Sequence, residues 1–386
     1  MIPYGKQDIS SSDMEAVVEI LRSDWLTQGP TIPRFEQAVA AYCGAKHAVA
    51  TNSATSALHV ACMALDVSEG DWVWTSANTF VASANCAIYC GAKVDFIDID
   101  PITYNISTEK LAEKLFVAKD KGTLPKVVIP VHFCGQSCDM AAIYKLSQEY
   151  GFRVIEDASH AIGGSYKNET VGNCRYSDIT VFSFHPVKII TTGEGGMALT
   201  NDASLCNRLQ RHRSHGVTSD RQDMLTRPDD EIWNYQQIRL GYGYRMTDIH
   251  AALGLSQMTR LDEFVAKRRQ IASCYDARLA SWPIITPHQS PDARSSYHLY
   301  PIRVRKSECG KTQRQVYDAL WRENIMVNLH YIPVYRQPYF ERMGFEKGYC
   351  PEAENYHKET ISLPMYPSLL SDEQEKVIAV LEDALR

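Results

Sequence analysis

Ser183-Phe184-His185-Pro186-Val187-Lys188-Ile189-Ile190-Thr191-Thr192-Gly193-Glu194-Gly195-Gly196 decides how this chain reads. One lysine stands in a short apolar setting and is followed at once by a turn rich in hydroxyls and glycines. Burying an ammonium is costly, so such a lysine has a lowered pKa and becomes a competent amine toward an aldehyde. The glycines let the backbone pass close to a ligand where side chains would obstruct it. Residues 197–200 read as a strand leaving the site. A lysine that only snorkels beside a plain turn would look the same in isolation, so the reading turns on what precedes it.

What precedes it alternates. Strands are expected at 46–51, 71–75, 93–98, 126–131 and 153–157, with helices at 33–42, 54–65, 80–89, 107–115 and 138–150 between them. An earlier helix is expected to be capped by Ser12-Asp13, with Met14, Val17, Val18 and Leu21 on its apolar face. Such alternation implies a mostly parallel sheet covered on both faces, with ligands at the carboxyl ends of its strands. Asp157 and Ser183 fall at such ends. After Gly196 the pattern changes. Residues 219–234 read as a polar loop, helices follow at 249–261 and up to 279, strands at 300–304 and 326–328, and helices at 311–323 and 371–386. This predicts an α/β chain with a large domain over 1–250 and a smaller one with an antiparallel sheet over 251–386.

The 386 residues suffice for a large core, and 40 basic against 46 acidic side chains leave a net charge of −6, with no electrostatic footprint for nucleic acid. No apolar run is long enough to span a bilayer, and residues 1–6 lack the apolar core of a signal peptide. Eleven singly scattered cysteines point to a reducing cytoplasm rather than a disulfide framework. Cys86/Cys90 and Cys134/Cys138 are close pairs, but their spacing reads as buried thiols and not as a metal site.

The residues then form one set. The helix opening at 52–58 is rich in small hydroxylated residues, and free N–H groups at such an opening bind phosphate. Pyridoxal phosphate needs an amine for its aldehyde, a carboxylate against its ring nitrogen, donors for its phosphate and a ring against its face. Lys188, Asp157, the Ala54 and Thr55 N–H groups with the Ser183 hydroxyl, and Phe80 meet those needs in turn. Each has a plain alternative: Asp157 as a strand-end cap, Phe80 as core, Ser183 as a satisfied buried hydroxyl. The ordered set is hard to explain by packing alone.

Asn52–Leu58, Thr79–Asn85, Glu156-Asp157-Ala158-Ser159-His160, the stretch from Ser183 to Gly196, Arg213-Ser214-His215-Gly216 and the stretch from Gly241 to Gly254 resemble the DegT-type nucleotide-sugar aminotransferases over nearly the whole chain. Asn-Ser-Ala-Thr-Ser-Ala, Phe-Val-Ala-Ser-Ala-Asn, Phe-Ser-Phe-His-Pro-Val-Lys and His330-Tyr331-Ile332-Pro333-Val334-Tyr335 look most like the branch acting in pseudaminic acid biosynthesis. The resemblance implies an aspartate-aminotransferase-like fold (pyridoxal phosphate fold type I) and a homodimer with active sites at its interface. It implies L-glutamate as amino donor and a UDP-linked 4-keto sugar as acceptor. His160 would lie near the cofactor's phenolic oxygen. Tyr4, Asp24, Trp25, Leu26, Thr27, Asn328, Leu329, His330 and Tyr331 would face the substrate, together with Ala54 and Ser183. Relatives usually carry Asn where this chain has Gly243, reaching across the dimer to the phosphate, so that contact is in question here. Other nucleotide 4-keto sugars, or a non-catalytic protein of the same fold, remain the alternatives. A sugar dehydratase of the same kind would have histidine in place of Lys188.

Overall fold

The computed structural model describes residues 1–226 and 231–386; within the polar loop expected at 219–234, residues 227–230 lie outside the described part. The chain builds a seven-stranded sheet from β1 (His47–Thr51), β2 (Trp72–Ser76), β3 (Lys93–Ile97), β4 (Val127–Ile129), β5 (Arg153–Asp157), β6 (Ile179–Ser183) and β7 (Gly196–Thr200). Their spatial order is β1-β7-β6-β5-β4-β2-β3. All pairings are parallel except those of β7, which runs antiparallel to both β6 and β1. The strands are buried along nearly their whole length, as a sheet covered on both faces requires.

Among the described residues nine α-helices complete this part: α1 (Ser11–Arg22), α2 (Thr31–Cys43), α3 (Ala54–Ala64), α4 (Ala82–Tyr89), α5 (Thr108–Lys121), α6 (Met140–Tyr150), α7 (Ala203–Arg213), α8 (Asp248–Met258) and α9 (Leu261–Leu279). One core gathers Val49, Leu58, Val60, Val73 and Ile155 under α3 and α4. A second sets Phe35 and Val39 of α2 against Phe182, Phe184 and Met197. A third seats Leu111, Leu115 and Ile143 of α5 and α6 on Trp74, Val128 and Val154.

The C-terminal region has its own antiparallel sheet, β8 (Ile284–Ile285), β9 (Tyr300–Val304) and β10 (Thr360–Leu363), with β9 in the centre. Its core holds Ile302, Val316, Leu320, Val377 and Leu381, and takes Ile2 from the N-terminus. Ile2–Pro3 pairs in parallel with Ile325–Met326. Helix α9 serves both regions: Leu261, Phe264 and Val265 pack with the α2 core, Ile271, Tyr275 and Leu279 with the C-terminal one.

Helix α1 corrects its sequence reading. The cap is Ser10, whose hydroxyl and the carboxylate of Asp13 each accept the other residue's N–H. The face turned to α8 is the polar one: fully buried Asp13 accepts from Ser256 Oγ at 2.6 Å, Gln257 Nε2 at 2.7 Å and Arg260 Nη2 at 2.6 Å. A buried carboxylate needs such donors, and anchoring it here turns Met14, Val18 and Leu21 outward. Among the described residues no helix is long and apolar enough to cross a membrane, and all eleven cysteines are free thiols.

Candidate active site

The carboxyl ends of β1, β4, β5 and β6 open into one cavity of about 620 Å³, a size suited to a small cofactor with substrate. It is lined by Ala54, Thr55, Phe80, Asp157, His160, Ser183 and Lys188, and on its other wall by Tyr4, Asn328, Leu329, His330 and Tyr331. Twelve of the residues picked out in the sequence therefore come together.

Asp24, Trp25, Leu26 and Thr27 do not join them. They form an exposed loop tied to the start of α8: the Asp248 N–H donates to the Leu26 carbonyl at 3.0 Å, and the Asp248 carboxylate accepts from the Gly29 and Thr31 N–H groups at 2.8 and 2.9 Å. Within one chain this loop does not line the cavity.

The Lys188 loop is held by its own hydroxyls and backbone. Lys188 N–H donates to the His185 carbonyl, and the Phe184 carbonyl accepts from both Thr192 N–H and Thr191 Oγ1. Thr192 Oγ1 donates to the Glu194 carbonyl. Gly193 takes a left-handed φ of 81°, which favours glycine. Gly196 is required for another reason: a Cβ there would fall 2.4 Å from the Ala54 nitrogen. The glycine thus lets the start of β7 pass directly behind the opening of α3.

Ser53 caps α3 by accepting the Ser56 N–H, while the Ser56 hydroxyl donates to Asn52 Oδ1 at 2.6 Å. Ala54 and Thr55 occupy the first helical positions, whose N–H groups have no partner within the helix. The partial positive charge of the helix end is thereby presented to the cavity.

Asp157 is buried and bonded through both oxygens. Ser83 Oγ donates to Oδ2 at 2.6 Å, and Ser159 gives its hydroxyl to Oδ1 at 2.5 Å and its N–H at 3.1 Å. Thr79 stands behind Ser83 at 2.8 Å. Burial lowers the Lys188 pKa to about 8, against the opposing attraction of Asp157. Burial, then the Lys188 charge, also pushes His330 down to about 3 and His160 well below its ordinary value. His298 is pushed the same way by burial, then by His160 and Lys188. Three imidazoles around the amine are thus held neutral.

His160 approaches Tyr331 Oη at 3.3 Å, and its ring lies 4.3 Å from that of His298; its buried Nδ1 has no protein partner. His330 bonds Ser362 through Nδ1 at 2.9 Å and packs on Tyr4 with ring centroids 5.2 Å apart. The Met365 N–H fixes the Tyr4 carbonyl at 2.9 Å. Phe80 is largely exposed at the cavity, 6.2 Å from the Tyr331 ring.

Sequence reasoning missed Ser83, Ser159, Thr79 and His298. Ser159 could have been found two residues past Asp157, where a side chain turns back on the preceding acid. His298 stands just ahead of β9 as a polar residue between apolar neighbours, a weak signal. Ser83 becomes visible only once α4 and β5 are placed together.

The profile of the DegT/DnrJ/EryC1/StrS aminotransferase family matches residues 7–382. The chain is 39% identical to the spore coat polysaccharide biosynthesis protein SpsC of Bacillus subtilis, over 100% of this chain and 97% of that protein. It is 37% identical to the UDP-4-amino-4,6-dideoxy-N-acetyl-beta-L-altrosamine transaminase of Campylobacter jejuni serotype O:2, over 96% of this chain and 93% of that one. Among solved structures, Helicobacter pylori PseC, an aminotransferase of pseudaminic acid biosynthesis, superposes with a TM-score of 0.89 at 29% identity, covering 100% of this chain and 99% of its own. With its lysine and aspartate facing one cavity at the strand ends, the chain belongs to the DegT/DnrJ/EryC1/StrS aminotransferase family and is a sugar aminotransferase.

Proposed function

We propose that this enzyme moves the amino group of L-glutamate to C4 of a UDP-linked 4-keto-6-deoxy-N-acetylhexosamine, giving UDP-4-amino-4,6-dideoxy-N-acetyl-β-L-altrosamine. The observation that carries the substrate reading is the near full-length 37% identity to the Campylobacter jejuni transaminase named for that product.

Aminotransferases of this family use pyridoxal 5′-phosphate. The residues present fit that group: a buried amine, a carboxylate facing it across one cavity, a helix opening that Gly196 leaves uncovered, and an orphaned buried imidazole nitrogen at His160. In this reading the Ala54 and Thr55 N–H groups and the Ser183 hydroxyl hold the phosphate, Asp157 the ring nitrogen, His160 the phenolic oxygen and Phe80 the ring face. Once bound, the group supplies an aldehyde that exchanges amines and a ring that takes up the electrons of a broken Cα–H bond.

The chain's own part is proton handling and orientation. With its pKa lowered to about 8, roughly a tenth of Lys188 is unprotonated at pH 7, far more than for an ordinary lysine. Its Nζ would take the proton from the amino acid's α-carbon and return it to the carbon on the other side of the amino nitrogen. Asp157 accepts from Ser83 and Ser159 on its two oxygens, which aim it, and would stabilise a protonated ring nitrogen by a charge-assisted hydrogen bond. Tyr4, Asn328, Leu329, His330 and Tyr331 form the wall that the sugar would meet.

We assign the enzyme to a homodimer. The outward apolar face of α1 and the exposed Asp24–Thr27 loop support this, since both would find cover or a neighbouring cavity on a second copy. We likewise divide the chain into a large domain over 1–250 and a smaller one over 251–386. A different sugar is the second reading, favoured by the 39% identity to a spore coat polysaccharide protein. Purified enzyme with L-glutamate and a panel of UDP-, GDP- and dTDP-4-keto sugars decides between them. The first reading expects 2-oxoglutarate release only with the UDP-linked N-acetyl sugar, and an L-altro product by NMR. Turnover confined to another nucleotide or sugar overturns it.

A further inference from the structure

Beneath the active-site edge of the sheet lies a buried imidazole–carboxylate pair that the reaction described above does not use. His132 follows β4, and Glu156 is the last residue of β5 but one; both side chains are buried and neither lines the cofactor cavity. Successive residues of a strand point to opposite faces, so Glu156 lies across the sheet from the carboxylate of Asp157. His132 Nε2 stands 2.6 Å from Glu156 Oε2, and Nδ1 accepts the Cys138 N–H at 3.1 Å. The other carboxylate oxygen accepts from Ser177 Oγ and, at 3.1 Å, from Thr180 Oγ1 on β6. Burial opposes a charge on the His132 ring, while Cys138 and Glu156 favour one. A second proton would have to sit on Nδ1, where the Cys138 N–H already points. The ring therefore carries one hydrogen, on Nε2, and donates it to Glu156.

The pair bears on Asp157 through the main chain. The Asp157 N–H donates to the Pro130 carbonyl at 2.9 Å, and the Asp157 carbonyl accepts the His132 N–H at 3.0 Å. Residues 130–132 thus grip both main-chain polar groups of Asp157. Regular pairing of β4 with β5 reaches Val128 and Val154, and one further bridge joins Val131 to Asp157. The side-chain bond from His132 to Glu156 fastens that bridge. The turn that follows is tight: Cys134 and Gly135 take left-handed φ values of 59° and 99°, and their carbonyls accept the His298 and Ser296 N–H groups at 2.9 and 3.1 Å. Ser296 Oγ in turn donates to the His160 carbonyl at 3.0 Å. One turn is therefore linked to the main chain at Asp157, His298 and His160.

We propose that His132 is a positioning residue for the reaction: bonded to Glu156 on the far face of the sheet, it fixes the main chain at Asp157 and with it the aim of the Asp157 carboxylate. Ser83 and Ser159 hold that carboxylate from the cavity side. His132 sets the strand end on which they act. A displacement of an ångström or less at a reacting group is enough to slow chemistry, so a brace outside the cavity can govern rate without touching substrate. The proposal rests on the reading of Asp157 as the partner of the cofactor's ring nitrogen.

The test loads the enzyme with pyridoxal phosphate carrying nitrogen-15 in its ring and records the NMR shift of that atom, which reports the hydrogen bond it receives or gives. Each variant is first checked for native fold by circular dichroism. His132→Gln reaches about as far as Nε2 and still donates to Glu156. His132→Asn reaches about as far as Nδ1, keeps an acceptor for the Cys138 N–H and loses the Glu156 bond. Asp157→Asn should move the signal most, His132→Asn part of the way, and His132→Gln should leave it near the wild-type position. The glutamate half-reaction should slow roughly tenfold to a hundredfold in His132→Asn and stay within about threefold of wild type in His132→Gln. A residue that only filled space would cost stability in both variants and move the signal in neither. Where His132→Asn does not fold, Glu156→Gln, of the same size, takes its place. It exchanges a charge-assisted bond for a weaker neutral one and should move the signal the same way by less. An unmoved signal in the folded variant that breaks or weakens the bond, or equal movement in His132→Asn and His132→Gln, overturns this proposal while Asp157→Asn still moves the signal. An unmoved signal in Asp157→Asn overturns the ring-nitrogen reading, and the proposal with it.

Discussion

Ser83 donates its hydroxyl to Oδ2 of Asp157 at 2.6 Å, joining the first turn of α4 to the carboxyl end of β5. The same hydroxyl stands 2.8 Å from Thr79, so the serine is itself oriented. In the proposed role a carboxylate set against a ring nitrogen must be aimed, and within this buried site Ser83 on one oxygen and Ser159 on the other hold it in place.

Ser83→Ala should therefore weaken Asp157 without removing it. A hydrogen bond to a charged group contributes about 1.5–3 kcal/mol, so the glutamate half-reaction should slow roughly tenfold to a hundredfold. Asp157→Asn should slow it by further orders of magnitude while cofactor is retained. Single-turnover spectroscopy with glutamate measures both. A wild-type rate in Asp157→Asn would remove the carboxylate from the ring nitrogen.

Lys188→Ala should abolish turnover and the yellow colour of the loaded enzyme, since this lysine lines the cavity beside Asp157. Borohydride reduction followed by peptide mapping should find the cofactor on Lys188 in the wild type and on no residue in the variant. Full turnover with label on another lysine would refute the assignment.

Much of this site was legible because its parts lie on regular elements whose ends coincide. Asp157 ends β5, Ser183 ends β6 and Ala54 opens α3, so the alternating pattern already places them on one edge of the sheet. Ser83 and His298 were not legible, because their contacts cross between elements far apart in sequence. Helix α1 misled for a physical reason: its apolar periodicity is real, yet the buried face is set by Asp13 and its three donors. The place of the Asp24–Thr27 loop was not legible for another reason, as it depends on Asp248 more than two hundred residues away.

His330 gives a pH prediction. Its folded pKa is about 3, below the unfolded value of about 6.5, so the folded state binds fewer protons between them. The neutral ring's contribution is full above pH 6.5 and is lost as pH falls toward 3. His330→Gln should thus lower the pH of acid unfolding relative to wild type, followed by circular dichroism. Identical acid midpoints, with both proteins native at pH 7, would mean that His330 is already protonated in the fold.

Gly243 tests the contact across the proposed dimer. Its φ is not left-handed, so the backbone accepts asparagine. A Cβ there would meet His215 Cε1 at 3.1 Å and Nε2 at 3.2 Å, and that side chain is exposed and free to yield by a few tenths of an ångström. Gly243→Asn should then fold normally and give the phosphate a donor that the present chain lacks at this position. At about 1.5–3 kcal/mol for a bond to a charged group, cofactor affinity should rise roughly tenfold or more. Titration of cofactor-free protein with pyridoxal phosphate measures it. Unchanged affinity in a folded, dimeric variant would mean that this loop does not reach the partner's phosphate, and that Ala54, Thr55 and Ser183 must hold that group without it.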